Sequence, residues 1–434
     1  MADSAAPQPA AGWWAARAWG QYRGLSRDFW TFFVAALLYE TGFGLYFFLF
    51  NLYLLDLHFD EKAIGLVNGA LSFGLLATTL PVGILSRKIG NQPLLIFCFV
   101  MAPILGVLRA LWVWEPAQIG LAFIAGLVMS IWTVCFLPVS ASFTSESNRA
   151  SAIGLIFSVG IGATAIGSAA SGYLSHWICV LSPGFGAAEV KRAVLVISCA
   201  IAALGSLALM RLPRHAPSLQ AGATARIWDP RLLRNSFLRR FLPCMGLWTS
   251  LLGAFTPFAA VYFAHERHFA LTQIGLIFSL SQMAQLLAGL LIPMVVSRLG
   301  MLPSILVTQL GTALLLMVVV APGQPTWSVA AFAAYSATQW MGSTAMYTLL
   351  MNAMPERDRS TASAMTMFCN SLGTACATSA VGALLVRFHY APVLLAVAFV
   401  EAALAVLFGL LLRDHRRNSS VSQGLRSEQR YGLK

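Results

Sequence analysis

Residues 58–93 read HFDEKAIGLVNGALSFGLLATTLPVGILSRKIGNQP, and residues 268–303 read HFALTQIGLIFSLSQMAQLLAGLLIPMVVSRLGMLP. Laid over one another without a gap, at an offset of 210 residues, they match at His58-Phe59 and His268-Phe269, at Ile64-Gly65-Leu66 and Ile274-Gly275-Leu276, at Gly90 and Gly300, and at Pro93 and Pro303. The same offset returns farther along, where Glu146, Arg149 and Ala152 fall on Glu356, Arg359 and Ala362, and Gly172 falls on Gly382. Apolar coincidences are common in an apolar chain, but loop residues that match at one constant offset mark an internal repeat. The sequence is therefore read as two homologous halves in parallel orientation, an arrangement that lets one half rock against the other about a site at mid-depth.

Both halves are strongly apolar. The 434 residues are 58% hydrophobic and 10% charged, with a mean hydropathy of +0.74, whereas a soluble domain carries about 25% charge. That composition excludes a soluble enzyme. With roughly 20 apolar residues needed per spanning helix, the runs near 29–55, 63–85, 93–113, 117–139, 152–177 and 193–212 predict six spans, and those near 241–263, 272–296, 303–321, 328–353, 362–386 and 392–412 predict six more. They alternate too little for barrel strands, which leaves helices as the spanning element. The expected architecture is an all-α membrane protein with twelve transmembrane helices in two six-helix bundles, residues 29–212 and 241–412, related by a parallel pseudo-repeat. A tail over 1–28, a linker over 213–240 and a second tail over 413–434 complete it. The first apolar run exceeds a signal-peptide core and lacks a small-residue cleavage pattern, so it is expected to stay as a helix.

A net charge of +12 would suggest nucleic acid in a soluble chain, but the bias of cytoplasmic loops toward Lys and Arg accounts for it here, and no nucleic-acid motif occurs. Of the 28 Lys and Arg residues, all but Lys62, Arg109, Lys191, Arg192, Arg267 and Arg387 fall on the side of the termini. Both termini and the Arg-rich linker are thus expected in the cytoplasm, with the chain in the cell (inner) membrane as a multi-pass monomer. The seven cysteines are scattered without a CxxC pair or a nearby His cluster, so no zinc site, disulfide framework or cofactor is expected. No GxxxxGK[ST] run supports ATP driving, and no Ser/His/Asp set or HExxH supports a membrane hydrolase. A receptor or channel is a further rival class, without a long recognition domain or filter-like sequence to support it.

The loop between the second and third spans reads Gly83-Ile84-Leu85-Ser86-Arg87-Lys88-Ile89-Gly90-Asn91-Gln92. With the twelve spans, the repeat and the central linker, it resembles the major facilitator superfamily, whose motif here is Gly-x-x-x-Asp-Arg/Lys-x-Gly-Arg/Lys-Arg/Lys. Gly83, Lys88 and Gly90 fit, while Arg87 takes the acidic place and Asn91 and Gln92 the basic ones. The second copy, Pro293 to Ser297-Arg298-Leu299-Gly300, also lacks the acid. The drug/proton antiporter branch carries an Arg in span four and Gly-Pro-x-x-Gly-Gly in span five. Here Leu121–Val139 is uncharged, and Gly167-Ser168-Ala169-Ala170-Ser171-Gly172 keeps only the outer glycines, so that branch is not supported. The resemblance implies alternating access, a cavity lined by spans one, four, seven and ten, and a gate in which Lys88 and Arg298 meet Glu146 and Glu356, with Arg149 and Arg359 beside them and Gly90 and Gly300 at the turns. The bland alternatives are solvated helix-end charges and glycines needed for positive φ.

Of 16 acidic residues only Glu40 and Glu401 sit well inside spans, where a charge is costly unless paired, hydrated or neutralised. Glu40 lies at mid-depth in span one, sharing a helical face with Phe33, Gly44, Phe47 and Asn51. It is the candidate for proton coupling, the other reading being a packed carboxyl bonded to a neighbour. Glu401, on peripheral span twelve, is expected to tuck toward an adjacent helix, and Arg109 to snorkel outward near Glu115. Asn51, Asn68, Trp132, Trp248, Gln282, Gln285, Gln339, Trp340, Tyr347 and Asn370 supply neutral polarity to the spans and form the candidate substrate site. Amides and aromatics suit a small neutral or amphiphilic solute. The expected function is secondary active transport of such a solute, with proton-coupled efflux ahead of uptake of a polar neutral solute such as a sugar.

Overall fold

The computed structural model describes residues 25–144, 146–212, 234–355 and 358–431, and every regular element within them is helical. Twelve long helices follow one another. The first half holds α1 (Arg27–Asp56), α2 (Glu61–Ile89), α3 (Asn91–Leu111), α4 (Glu115–Ser142), α5 (Glu146–Leu181) and α6 (Ala187–Met210). The second holds α7 (Ser236–Phe255), α8 (Leu271–Leu299), α9 (Met301–Val320), α10 (Pro325–Ala353), α11 (Arg359–Phe388) and α12 (Tyr390–Tyr431). The seventh crossing continues from α7 through a 3-10 turn at Thr256–Phe258 into a short helix, Ala259–His265. Among the described residues nine crossings are long and apolar enough to span a bilayer by composition alone. α2, α5 and α10 are diluted by Asn68, by the Gly and Ser residues of 160–172, and by the Thr338-Gln339 neighbourhood; a helix packed inside a bundle need not be apolar on every face.

Local chemistry sets the helix ends. The side chains of Ser26 and Asp60 accept from the amides of Phe29 (3.1 Å) and Ala63 (2.7 Å), capping α1 and α2. Gly90 ends α2 at φ +88° and ψ 161°, and Gly300 ends α8 at φ +84° and ψ 163°, a region open essentially to glycine alone. Positive φ thus explains the repeated glycine of the loop motif. The repeated His-Phe pair has a similar origin: His58 (φ 63°) and His268 (φ 53°) are left-handed and turn the chain into α2 and α8. Within the halves, Tyr46 and Tyr53 donate to the carbonyls of Gly106 (3.1 Å) and Ala110 (2.6 Å), tying α1 to α3, and Tyr262 donates to Val319 (2.9 Å), tying the seventh crossing to α9.

The halves meet along two seams, α2 on α11 and α5 on α8, and the repeated glycines are there. A Cβ at Gly65 would lie 2.7 Å from the Thr378 carbonyl oxygen and one at Gly382 would lie 2.5 Å from that of Glu61. On the other seam, a Cβ at Gly275 would lie 2.5 Å from the Ser168 carbonyl oxygen and one at Gly172 would lie 2.7 Å from Thr272 Cα. Small residues let these backbones touch. Both contacts sit at the end away from the α6–α7 connection, here called the far side. Asn51 Nδ2 donates to the Pro257 carbonyl there (2.7 Å), Phe48 packs edge-on against Phe278, and Glu61 receives His265 at 3.6 Å and Tyr390 at 3.5 Å. Together with the two seams, these polar and ring contacts hold the halves together on the far side.

The helices exceed the apolar runs at two places, α7 starting at Ser236, capped by Asn235, and α12 running on to Tyr431, because a helix can continue through charged turns. One expectation needs correction. Arg109 does not snorkel: it is 3% exposed, with its guanidinium 4.1 Å above the Phe50 ring and Nε without a partner. The aromatic face supplies the attraction that a water-facing position would have supplied.

Candidate functional site

Between the halves lies a cavity of about 370 Å³, lined by Phe33, Ala36 and Glu40 of α1, Trp132, Thr133 and Phe136 of α4, Ile156, Gly160 and Ile161 of α5, and Met367 of α11. Glu40 stands thirteen residues into α1, about 20 Å from its start at 1.5 Å per residue. The neighbouring residue fixes the phase of the helix. Tyr39 is buried, stacked on Phe99 with ring centroids 4.0 Å apart, and hydrogen-bonded to Cys98 at 3.4 Å; with that side held on α3, Glu40 turns toward the cavity.

Trp132 Nε1 donates to Glu40 Oε1 at 2.7 Å. The indole is itself held by Tyr39, Phe99 and Phe136, with centroids 5.4, 5.4 and 5.2 Å away. Among the described residues no Lys, Arg or His pairs with this carboxyl; Lys191 pairs with Asp56, and His265 approaches Glu61, both on the far side. Glu40 thus lines the cavity with one oxygen directed by a rigid donor, an arrangement suited to exchanging a proton or meeting a ligand group. Of the residues sharing its helical face, Phe33 lines the cavity and Asn51 does not.

The second half contributes a neutral network. Asn370 donates to Tyr347 Oη at 2.8 Å and accepts from Thr249 at 3.2 Å, and Trp248 Nε1 donates to Ser343 at 3.3 Å. Gln339 donates to Tyr335 Oη at 3.1 Å, Trp340 is partly exposed beside Gly289, and Gln282 and Gln285 are half-buried on α8. Asn68 donates to Asn51 at 3.0 Å, which places this pair at the far-side closure, apart from Glu40. Trp248 is fully buried, so its ring serves as packing. Sequence reasoning missed Thr133, Phe136, Ile156 and Met367 as walls, because one apolar residue among many carries no signal until the halves are placed. Glu401 is fully buried and neither carboxyl oxygen has a hydrogen-bond partner among the described residues.

Of the candidate gate, Lys88 and Arg298 are exposed at the linker-side ends of α2 and α8, each next to its turn glycine. Glu356 and the side chains of Glu146, Arg149 and Arg359 lie outside the described residues.

The sequence pattern of the Major Facilitator Superfamily matches residues 32–378 and, in a second register, 241–431. The chain belongs to this superfamily. No curated protein sequence matches it significantly. Among solved structures, the nucleoside transporter NupG superposes with a TM-score of 0.72 at 18% identity, covering 89% of this chain and 99% of that one. A bacterial homolog of the human lysosomal transporter Spinster, in an inward-facing and unoccupied conformation, gives 0.70 at 14% identity over 89% and 98%. A bacterial homologue of the iron transporter ferroportin, in an inward-facing state, gives 0.62 at 15% identity over 88% and 98%. At such identities the likeness is one of fold. This superfamily member is a multi-pass integral membrane protein of the transporter class, with twelve helices in two bundles, and family and fold support secondary transport by alternating access.

Proposed function

We propose that this protein expels a small neutral or amphiphilic solute through the central cavity in exchange for protons taken up at Glu40, in the cell (inner) membrane with both termini and the linker in the cytoplasm. The observation that carries the reading is the Glu40–Trp132 pair in the wall of the cavity between the halves, a carboxyl with a fixed donor and, among the described residues, no cation beside it. The bias of Lys and Arg toward the termini supports the orientation. The neutral Thr249–Asn370–Tyr347 network favours a second reading, uptake of a polar neutral solute such as a sugar. The gate reading for Lys88, Arg298, Glu146 and Glu356 rests on their repeat positions.

Uptake and efflux of a solute panel in vesicles with an imposed pH gradient test this reading. Glu40→Gln keeps the volume and a hydrogen-bonding terminus while removing the titrating carboxyl. It should abolish gradient-driven accumulation and retain exchange at equal pH, on protein matched for amount. Full gradient-driven accumulation in Glu40→Gln would remove this carboxyl from coupling.

A further inference from the structure

The walls around Glu40 say what kind of head group fits. Phe33, Ala36, Phe136, Ile156, Ile161 and Met367 are apolar, and among the described residues of the wall only Thr133 adds a polar side chain beside Glu40 and its bonded Trp132. A sugar-like solute needs several convergent donors and acceptors; Thr133 and one carboxyl do not provide them. An anion would face the carboxylate without a counter-charge. A carboxylate in apolar surroundings is itself costly, and is relieved either by a proton or by a cation brought in from outside. Trp132 occupies Oε1 of Glu40, which lines the cavity. Aromatic faces at Phe33, Trp132 and Phe136 favour cationic groups, and Met367 adapts to an irregular body.

We infer that the solute carries a monovalent organic cation, a quaternary or protonated amine on a compact apolar body, and that it binds at Glu40 in place of a proton. This rests on the reading of the cavity as the transport site. The exchange balances one for one: the protonated carboxyl gives its proton to water as the cation arrives, and the carboxylate–cation pair remains. Among the described residues, the groups that face Glu40 leave no other charge to satisfy. On its own helix Tyr39 is turned to Cys98, α4 offers Trp132, α5 offers Ile156, Gly160 and Ile161, and α11 offers Met367. A volume of about 370 Å³ falls at the lower end of small-ligand pockets, which run from roughly 300 to 1,000 Å³.

Calorimetry on the purified full chain tests the inference with two probes: trimethyl(3-phenylpropyl)ammonium and its neutral analogue with carbon in place of nitrogen. Titrations in two buffers of different ionisation enthalpy count the protons released. The cation should bind about tenfold or more tightly than the neutral analogue, releasing up to about one proton. Glu40→Gln should lose that preference and the proton release, and its retained binding of the neutral analogue would show that the cavity still forms. Equal affinity for the two probes, or an undiminished cation preference in Glu40→Gln, overturns the inference. Met367→Trp separates it from the underlying reading. If the enlarged side chain abolishes binding of both probes, the cavity is their site whichever charge it prefers; if both still bind, the transport-site reading fails.

Discussion

At the far-side seams the two halves contribute alike. Gly65 and Gly275 occupy the same place on α2 and α8, Gly172 and Gly382 the same place on α5 and α11, and each brings backbone against backbone. In the central cavity the same repeat is broken. The offset that carries Gly65 onto Gly275 carries Glu40 onto Ser250 and Trp132 onto Gly342. Ser250 turns its hydroxyl back to the Gly246 carbonyl at 2.7 Å, and a Cβ at Gly342 would meet the Trp248 ring at 3.4 Å. Closing two bundles along two seams demands equal surfaces, whereas one ligand needs only one carboxyl, and a second would be an uncompensated charge. The repeat therefore keeps the mechanics symmetric and leaves the chemistry one-sided.

The largest effect should come from breaking a seam. Gly275→Leu drives a side chain into the Ser168 backbone, and overpacking of about 2 kcal/mol against the far-side-closed state shifts the balance between states about 30-fold. Transport in vesicles should fall accordingly, while Gly162→Ala, on α5 where a Cβ meets open space, should be silent. Equal loss in both would mean that the seams have no special part in closure.

Within the cavity, Trp132→Phe keeps a ring and removes the donor to Glu40. Loss of a charge-assisted bond of about 1.5 kcal/mol should weaken proton-coupled transport roughly tenfold, read as the solute gradient sustained per unit of pH gradient. An unchanged ratio would make the indole a wall only. The smallest effect belongs to the linker side. Neutralising Glu146 and Glu356 together should favour the linker-side-open state by about fivefold, since two helix-end pairs at roughly 0.5 kcal/mol each sum to about 1 kcal/mol. Cysteine accessibility on that side measures it, and an unchanged value with unchanged transport would leave these residues as solvated helix ends.

The spans, the repeat and the place of Glu40 were all legible in the sequence, because apolar length, constant offset and a lone buried acid are local signals. The partnership of the glycines was not. Gly65 meets Gly382 and not its repeat mate Gly275, since pseudo-symmetry sets second helices against eleventh and fifth against eighth. Asn51 shares a helical face with Glu40 yet bonds Pro257 at the closure, because α1 is long enough to serve two depths. Arg109 was misread for want of its partner: nothing in its own helix announces the Phe50 ring on α1.

The central claim is a cavity exposed to one side at a time by rocking at the seams. Met367 is 47% exposed in the cavity wall, and Met367→Cys in a background without other cysteines reports its access to an impermeant thiol reagent. In the parent chain the reagent should label it only from the linker side. With Gly275→Leu added, labelling should move to the opposite side of the membrane. Labelling from the same side in both proteins, or from both sides in either, would contradict alternating access through this cavity.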